Sequence, residues 1–185
     1  VRLKDAPAVK GGNAAPDLPV AIPEHFKNVV VYAVTLESYK GIDVLVYAAV
    51  VVAEKSQDTG FVIVGGTVEQ VATFSGQAEA LGVADRVIFT GQVPQATARA
   101  YSEKASVLVS PRSSGTNTPL KIYEQLASGK PLVATAIYSH TQVLTDEVAF
   151  LVQLDPEDLA RGIIEATGDE GPVRTARAQE LYERE

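Results

Sequence analysis

Short runs of apolar residues alternate with longer, helix-like segments over most of this 185-residue chain. In the clearest runs, at residues 29–34 and 61–64, apolar and β-branched residues follow one another without polar alternation. Such continuous runs are typical of strands in a parallel sheet that helices cover on both faces. The pattern therefore predicts an α/β fold with a doubly wound, mainly parallel sheet of the Rossmann-like type.

Six strands and seven helices fit this alternation. Gly82 and Gly129 suit the ends of two helices, and Asp155 followed by Pro156 suits the start of another, as N-cap and first helical residue. The predicted strands are residues 29–34, 61–64, 86–89, 106–109, 131–135 and 149–152, and the predicted helices are residues 42–55, 68–81, 94–104, 119–127, 141–144, 155–166 and 174–184.

The chain is predicted to contain one folded domain. Glycine and proline are frequent in residues 1–27, which we expect to form an irregular lead-in or linker. Residues 28–185 then form the Rossmann-like domain, and this length is ample for one α/β domain but short for two. Because the chain starts at Val1 and contains no Met, we expect it to be a piece of a longer protein.

The composition narrows the classes of function. The net charge is −7, and an acidic surface repels a nucleic-acid backbone, so we expect no nucleic-acid partner. No run of 18 apolar residues predicts a membrane span. The absence of Cys excludes disulfides and thiolate ligands and fits a cytoplasmic protein. His25 and His140 lack the spacing of a zinc motif, so no metal site is expected; His140 either faces a ligand crevice or is a loop histidine without a role.

The loop after the fourth predicted strand is the richest in candidate ligand contacts. Parallel α/β sheets bind ligands beyond the carboxyl ends of their strands, where the strand order reverses. Residues 110–119 read SPRSSGTNTP, and Thr118 and Pro119 suit the start of the next helix. The free amides at a helix start attract anions such as a diphosphate. The loop therefore predicts a phosphate cradle made by Thr116, Asn117, Thr118, Pro119 and Leu120.

Three further residues are candidates for contacts with a ligand. Lys40 precedes the first helix, where a flexible ammonium reaches the crevice, although a solvated loop lysine fits the same position. Gly65 begins a Gly-Gly pair that lets the backbone approach a ligand closely, although no complete G-x-G-x-x-G is present. The spacing of Glu124, about one and a half turns into its helix, favours by itself a solvated helical glutamate.

Taken in order, these segments resemble the C-terminal half of glycosyltransferase family 4, the group 1 enzymes of GT-B fold. The most specific part is LKIYEQLASGKPLVAT at residues 120–135, which resembles the second half of the family's E-x7-E helix and the strand that follows. The resemblance covers about residues 29–166, and its weaker parts are YKGIDVL at 39–45, VIVGG at 62–66, DRVIFTG at 85–91 and AFLV at 149–152.

The resemblance implies roles for individual residues. Glu124 matches the second Glu of E-x7-E, which contacts the ribose hydroxyls of the donor, and Lys40 matches the Lys that neutralises the donor diphosphate. Both therefore have donor-positioning roles in catalysis. The amides of Thr118, Pro119 and Leu120 match the junction that holds the phosphates, and Thr90 and Gly91 lie where the family places the nucleotide base.

Two positions depart from the family pattern. The first Glu of E-x7-E falls at Thr116, and the Arg that partners the phosphate Lys falls at Thr35. A threonine donates a hydrogen bond but carries no charge, so a phosphate site that includes Thr35 is expected to be weaker than in most of the family.

The resemblance implies a retaining glycosyltransferase that transfers a hexose-type sugar from a UDP-, GDP- or ADP-sugar to an unknown acceptor, with no cofactor or metal required. The acceptor site is expected in an N-terminal domain outside this chain, and any peripheral contact with the inner face of a membrane is expected through that domain. Two alternatives stay open. One is a catalytically inactive nucleotide-binding or scaffolding domain, suggested by Thr35 and Thr116; the other is a different GT-B enzyme, such as a nucleotide-sugar epimerase.

Overall fold

The structure of this protein is a computed structural model that describes residues 17–33, 41–113 and 120–184, the side chain of Leu120 excepted. Its strands are β1 (Asn28–Ala33), β2 (Thr59–Val64), β3 (Val87–Gly91), β4 (Val107–Ser110), β5 (Leu132–Thr135) and β6 (Phe150–Val152). Its helices are α1 (Ile42–Lys55), α2 (Val68–Ala80), α3 (Gln95–Glu103), α4 (Leu120–Ala127), α5 (Tyr138–Thr141), α6 (Pro156–Ala166) and α7 (Glu170–Arg184).

The six strands form one sheet in the order β3-β2-β1-β4-β5-β6. All five pairings between neighbouring strands are parallel. The predicted doubly wound, Rossmann-like α/β fold is therefore confirmed. The strand order reverses between β1 and β4, since the chain proceeds from β1 towards β2 on one side and from β4 towards β5 on the other. The carboxyl ends of β1 and β4 consequently mark the position where such sheets bind ligands.

Helices cover both faces of the sheet, which explains the continuous apolar strands. Successive side chains of a strand point to opposite faces. Along β1, Val30 and Tyr32 pack into the core under α1, α2 and α6, whereas Val29 and Val31 pack into the core under α3, α4 and α7. Each of these four positions is thereby buried on one face or the other, so a polar residue at any of them would lose apolar contact.

Residues 17–27 contain no helix or strand, but they are attached to the domain at two points. The hydroxyl of Tyr101 on α3 accepts a hydrogen bond from the amide of Val20 (3.0 Å) and donates one to the carbonyl of the same residue (2.7 Å). The ring of Phe26 lies directly over Gly60 of β2, where any Cβ would overlap it. These contacts fix the path by which the chain enters β1.

Two helices differ from their predicted bounds, whereas the other elements agree within two residues at each end. The helix predicted at 174–184 begins earlier, at Glu170, and includes Pro172, because first-turn amides have no partner within the helix and a proline there loses no hydrogen bond. Arg174 holds this start in place, since its guanidinium lies 4.0 Å from the centre of the Phe150 ring and donates to the carbonyl of Ala149.

The helix predicted at 141–144 is also wrong, because α5 covers Tyr138–Thr141 instead. In the structure the chain turns into the helix soon after β5, and the ring of His140 is buried against the carbonyl of Thr135. With this contact the helical turn lies three residues earlier than predicted.

The packing of α6 on the sheet generates a stability prediction. A Cβ at Gly162 would lie 2.6 Å from Cγ1 of Val152 and 3.0 Å from Cγ1 of Val133, whereas a Cβ at Gly76 of α2 would meet nothing within 4 Å. Gly162→Ala should lower the free energy of unfolding by about 1–3 kcal/mol through overpacking. Gly76→Ala, the matched control, should raise it by roughly 0.5–1 kcal/mol through helix propensity. Urea denaturation measures both free energies of unfolding. Equal effects of the two substitutions would contradict the close packing of Gly162 against Val133 and Val152.

Candidate functional site

The loops that leave β1 and β4 meet at the carboxyl edge of the sheet. Gly41, the N-cap of α1, has a φ of 117°, which side chains other than glycine rarely adopt. A Cβ at this position would also overlap the carbonyl oxygen of Pro111, which follows β4. The two backbones are therefore in direct contact. Gly41 directly follows Lys40 in the chain, and Lys40 itself lies outside the described residues.

A cleft of about 570 Å³ opens between α3 and α4 on the second face of the sheet. Its floor is apolar and small, formed by Val31, Ala33 and Leu108 of the two strands at the reversal of strand order. Its walls are polar, and they include Gln95, Arg99 and Glu103 of α3 and Lys121, Glu124 and Gln125 of α4. An apolar floor with a few polar groups, in a volume of roughly 300–1,000 Å³, is typical of small-molecule sites.

Glu124 and Lys121 lie one helical turn apart on the wall formed by α4. The carboxylate of Glu124 is exposed to solvent in the cleft. The ammonium of Lys121 reaches across the cleft floor and donates a hydrogen bond to the carbonyl of Ala33, at 2.5 Å. Burial lowers the pKa of Lys121, and the nearby Glu124 carboxylate acts in the opposite direction. The cleft therefore contains a carboxylate that is free to accept hydrogen bonds and a partly desolvated cation.

Sequence reasoning missed Lys121. Its spacing of three residues from Glu124 places both on one side of the helix, and this spacing was a usable signal. The pairing of the ammonium with a backbone carbonyl is not visible in the sequence, because Ala33 lies 88 residues away along the chain.

Gln125 presents a buried acceptor to the same cleft. Its side chain is 8% exposed, and its Oε1 accepts no hydrogen bond from the part of the chain that the structure describes. A buried polar atom without a partner costs about 1–3 kcal/mol. A donor group of a bound ligand or water would remove that cost.

Gly65, Thr90 and Gly91 come together at the carboxyl ends of β2 and β3. The amide of Gly65 donates to the carbonyl of Gly91 (3.0 Å) and to Oγ1 of Thr90 (3.3 Å). The Thr90 hydroxyl in turn donates to the carbonyl of Gly91 (2.8 Å). These three predicted ligand contacts therefore form one cluster with one another. The chain continues from Gly91 to Gln95, which begins α3 and lines the cleft.

The remaining predicted contacts fall outside the described residues or at their boundary. Leu120 is the first residue of α4, as expected for the end of the phosphate loop, and its side chain is not described. The other six predicted contacts, which lie outside the described residues, are Thr35, Lys40, Thr116, Asn117, Thr118 and Pro119.

A buried cluster of three polar side chains joins the carboxyl ends of β4 and β5. Nδ1 of His140 lies 2.7 Å from the carbonyl of Thr135, and Nε2 lies 3.2 Å from Oγ of Ser110. Because a carbonyl only accepts, Nδ1 carries the proton and Nε2 accepts from the Ser110 hydroxyl. The hydroxyl of Thr135 donates to the carbonyl of Arg112, at 2.6 Å. The cluster thereby fixes the first residues of the loop that leaves β4.

Neither expectation for His140 is correct. It does not face the crevice, since it is fully buried, and it is not an idle loop residue. Burial lowers the pKa of His140, while the hydrogen bond to Thr135 acts in the opposite direction and the charge of Arg112 lowers the pKa further. The ring is therefore neutral near pH 7, as its two hydrogen bonds require.

Among residues 17–33, 41–113 and 120–184, no group of three or more His, Asp and Glu residues is arranged to hold a metal ion. Within the same ranges, no helix combines the length and the hydropathy that crossing a bilayer requires.

Comparison with known structures agrees with the parallel sheet. The fold is shared with the C-terminal domain of a group 1 glycosyl transferase from Francisella tularensis, at a TM-score of 0.72, 16% identity and 85% coverage of each chain. Anabaena Alr3699/HepE, solved in complex with UDP-glucose, matches 85% of this chain and 44% of its own at a TM-score of 0.69 and 19% identity. These matches show that the Rossmann-like fold of this chain is shared with both proteins.

The family itself follows from the sequence. The family model for glycosyl transferases group 1 matches residues 20–184, and this chain belongs to that family. A phosphatidyl-myo-inositol mannosyltransferase from Mycobacterium tuberculosis is 33% identical over 125 residues, which are 66% of this chain. The match covers 32% of the mannosyltransferase, so the chain spans about a third of the length of that relative.

The buried histidine generates a prediction about stability and pH. The pKa of His140 is lower in the folded protein than the ordinary 6.5, so the unfolded chain binds the proton more readily. The stabilisation is fully present above pH 6.5 and is lost as the pH falls below it. His140→Gln should lower the free energy of unfolding at pH 7.5 by about 1–3 kcal/mol, and its loss of stability between pH 7 and 5 should be smaller than that of the wild type.

Urea denaturation at several pH values measures this difference. His25 is the other histidine and lies exposed on the lead-in, so His25→Gln is the matched control. The control should keep the pH dependence of the wild type. An unchanged pH dependence in His140→Gln would show that the stability does not depend on a neutral His140.

Proposed function

We propose that this chain binds the nucleotide-diphosphate sugar donor of a retaining glycosyltransferase that transfers a hexose-type sugar. The single observation that carries the proposal is the exposed carboxylate of Glu124 in a 570 Å³ cleft beside the reversal of strand order. Family membership supports a transferase, and two similar proteins, a mannosyltransferase and one solved with UDP-glucose, support a nucleotide-activated hexose.

The chemistry of the cleft supports a nucleoside. A carboxylate offers two oxygens that accept hydrogen bonds from neighbouring hydroxyls, and a ribose presents such a pair. Glu124 is exposed, so its hydrogen-bonding capacity is available to a ligand. The apolar floor offers a base or ribose the partly exposed Ala33, since Val31 and Leu108 beneath it are buried. On this model the base lies towards Thr90 and Gly91, at the amino end of α3.

The diphosphate belongs at the meeting point of the two loops. The start of α4 supplies amides and the positive end of a helix dipole, which together attract phosphate oxygens. Lys40 supplies a positive charge from the loop that contacts Pro111 through Gly41. These groups would stabilise the charge that develops on the leaving nucleoside diphosphate, so the site requires no metal ion for that purpose.

The acceptor and much of the remaining chemistry belong to a part of the enzyme outside this chain. The matched mannosyltransferase is about three times as long as the matched segment, since that segment covers 32% of it. GT-B enzymes close two Rossmann-like domains around donor and acceptor, and this chain provides one of them. The identity of the acceptor therefore depends on the other domain.

A second candidate function is a nucleotide-binding or scaffolding domain without catalysis. The specific observation that favours it is the replacement of two charged family positions by Thr35 and Thr116. Both candidates predict a folded domain, but a pure scaffold does not require Glu124 to recognise a ribose, whereas any domain that binds a nucleotide does.

Calorimetry with UDP, GDP and ADP tests donor binding. Glu124→Gln keeps the size of the side chain and removes the charge that strengthens hydrogen bonds to ribose hydroxyls. It should weaken binding of the preferred nucleoside diphosphate by about tenfold or more, as expected for the loss of a charge-assisted hydrogen bond. The matched control is Glu103→Gln on the opposite wall of the same cleft, which should change affinity less than threefold.

Two outcomes would count against the proposal. If none of the three diphosphates binds the wild type at millimolar concentration, the scaffolding candidate is favoured. If Glu124→Gln and Glu103→Gln weaken binding equally, the effect comes from the overall charge of the cleft and Glu124 has no specific role.

The 185-residue chain by itself should bind the nucleotide weakly and should not transfer sugar. On this proposal the acceptor binds to another domain, and proximity and orientation of the acceptor account for much of the rate of a transfer reaction. The measurement is release of nucleoside diphosphate from UDP-glucose, GDP-mannose and ADP-glucose with simple acceptors. Sugar transfer above the rate without protein would show that this domain contains a complete active site.

A further inference from the structure

Lys121 places a positive charge at the end of β1. Its ammonium donates to the carbonyl of Ala33, the last residue of β1. Thr35, two residues further along the chain, is the position at which the resemblance to the family places an arginine. The charge that Thr35 does not supply is thus available from α4, in addition to the charge of Lys40.

Within the described part of the chain, the ammonium of Lys121 donates one hydrogen bond. An ammonium has three donor hydrogens, and the carbonyl of Ala33 occupies one of them. Among the residues that the structure describes, the ion pairs are Lys27–Asp58, Arg161–Asp158, Arg161–Glu165 and Arg174–Glu170, and none of them includes Lys121. The cation is therefore partly desolvated, has no carboxylate within ion-pair distance there, and lines an open cleft.

We propose that Lys121 is a donor-binding residue that contacts the diphosphate and replaces the charge missing at Thr35. The inference rests on the proposed function and deepens it, because it assigns a specific group of the ligand to a specific side chain. The contact with Ala33 orients the ammonium towards the crevice, and Glu124 on the same wall is left to bind the ribose. One helical turn, about 5 Å, then separates the residue for the phosphates from the residue for the sugar ring of the nucleoside.

A purely structural role is the competing explanation. Lys121 connects α4 to β1 through its hydrogen bond. Loss of a purely structural link of this kind would lower the stability and would change the affinity for every ligand by the same factor. A diphosphate contact affects only ligands that carry phosphates, and its contribution falls as salt is added, because ions screen partly exposed charges.

The test compares a nucleoside diphosphate with the matching nucleoside on the 185-residue chain. Calorimetry first identifies which of UDP, GDP and ADP binds the wild type, and titrations monitored by NMR then measure the affinity of its nucleoside. Lys121→Met should lower the affinity for the diphosphate by about 10- to 100-fold, as expected for a lost hydrogen bond to a charged group. The affinity for the nucleoside should stay within threefold of the wild type. Lys121→Arg should retain most of the diphosphate affinity, because it keeps the charge.

Lys130→Met is the matched control. Lys130 lines the same cleft but follows the opposite end of α4, so its removal changes the net charge equally without touching the crevice. It should alter diphosphate affinity less than threefold. Circular dichroism melts of all three variants establish that each is folded, and Lys121→Arg keeps the test informative if Lys121→Met is unstable.

Three results would overturn the inference. If Lys121→Met lowers the affinities for the diphosphate and the nucleoside equally, Lys121 serves only as a structural link between α4 and β1. Unchanged diphosphate affinity in Lys121→Met, beside measurable binding by the wild type, would reject the contact and leave the proposed function intact. Failure of the wild type to bind any of the three diphosphates would reject the proposed function, and this inference with it.

Discussion

The contact between Gly41 and Pro111 is the constraint on which the ligand crevice depends. It joins the two loops that diverge where the strand order reverses, and it does so backbone to backbone, because a Cβ at position 41 would overlap the Pro111 carbonyl. α1 begins directly after Gly41 and packs on one face of the sheet, whereas the chain that follows Pro111 leads to α4 on the other face. The separation of the chain before α1 from the chain after β4 is therefore set at this point by main-chain geometry and does not depend on flexible side chains.

A second, polar constraint keeps the far side of the crevice in place. The hydrogen bonds among Ser110, Thr135 and His140 connect the ends of β4 and β5, and Thr135 extends them to the carbonyl of Arg112. Buried polar groups are tolerated only when they are paired, and a fully paired network specifies one arrangement of its members. The loop that leaves β4 thus begins from a fixed direction, which a site for a diphosphate requires.

The sequence predicted the fold well because burial on both faces of a parallel sheet is visible locally, as at residues 29–34 and 61–64. It predicted α5 and the start of α7 poorly, because these depend on contacts of His140 with Thr135 and of Arg174 with Phe150 and Ala149. For the site, a motif pointed to Glu124, which lines the cleft. Lys121 was missed because its partner Ala33 lies 88 residues away along the chain. The role of His140 was predicted wrongly because one of its two partners, Ser110, lies 30 residues away and the burial of the ring depends on that contact.

The two walls of the cleft belong to different helices, so the residues of one wall can change independently of the other. One wall is α3 and the other is α4, two short stretches that are separated in the chain by β4 and its loop. The floor between them consists of strand residues that the sheet requires in any case. Substitutions at Gln95 or Arg99 can therefore alter one wall without disturbing Lys121 and Glu124 on the other. If the cleft binds the donor as proposed, ligand preference can diverge through one helix while Lys121 and Glu124 are retained in its neighbour.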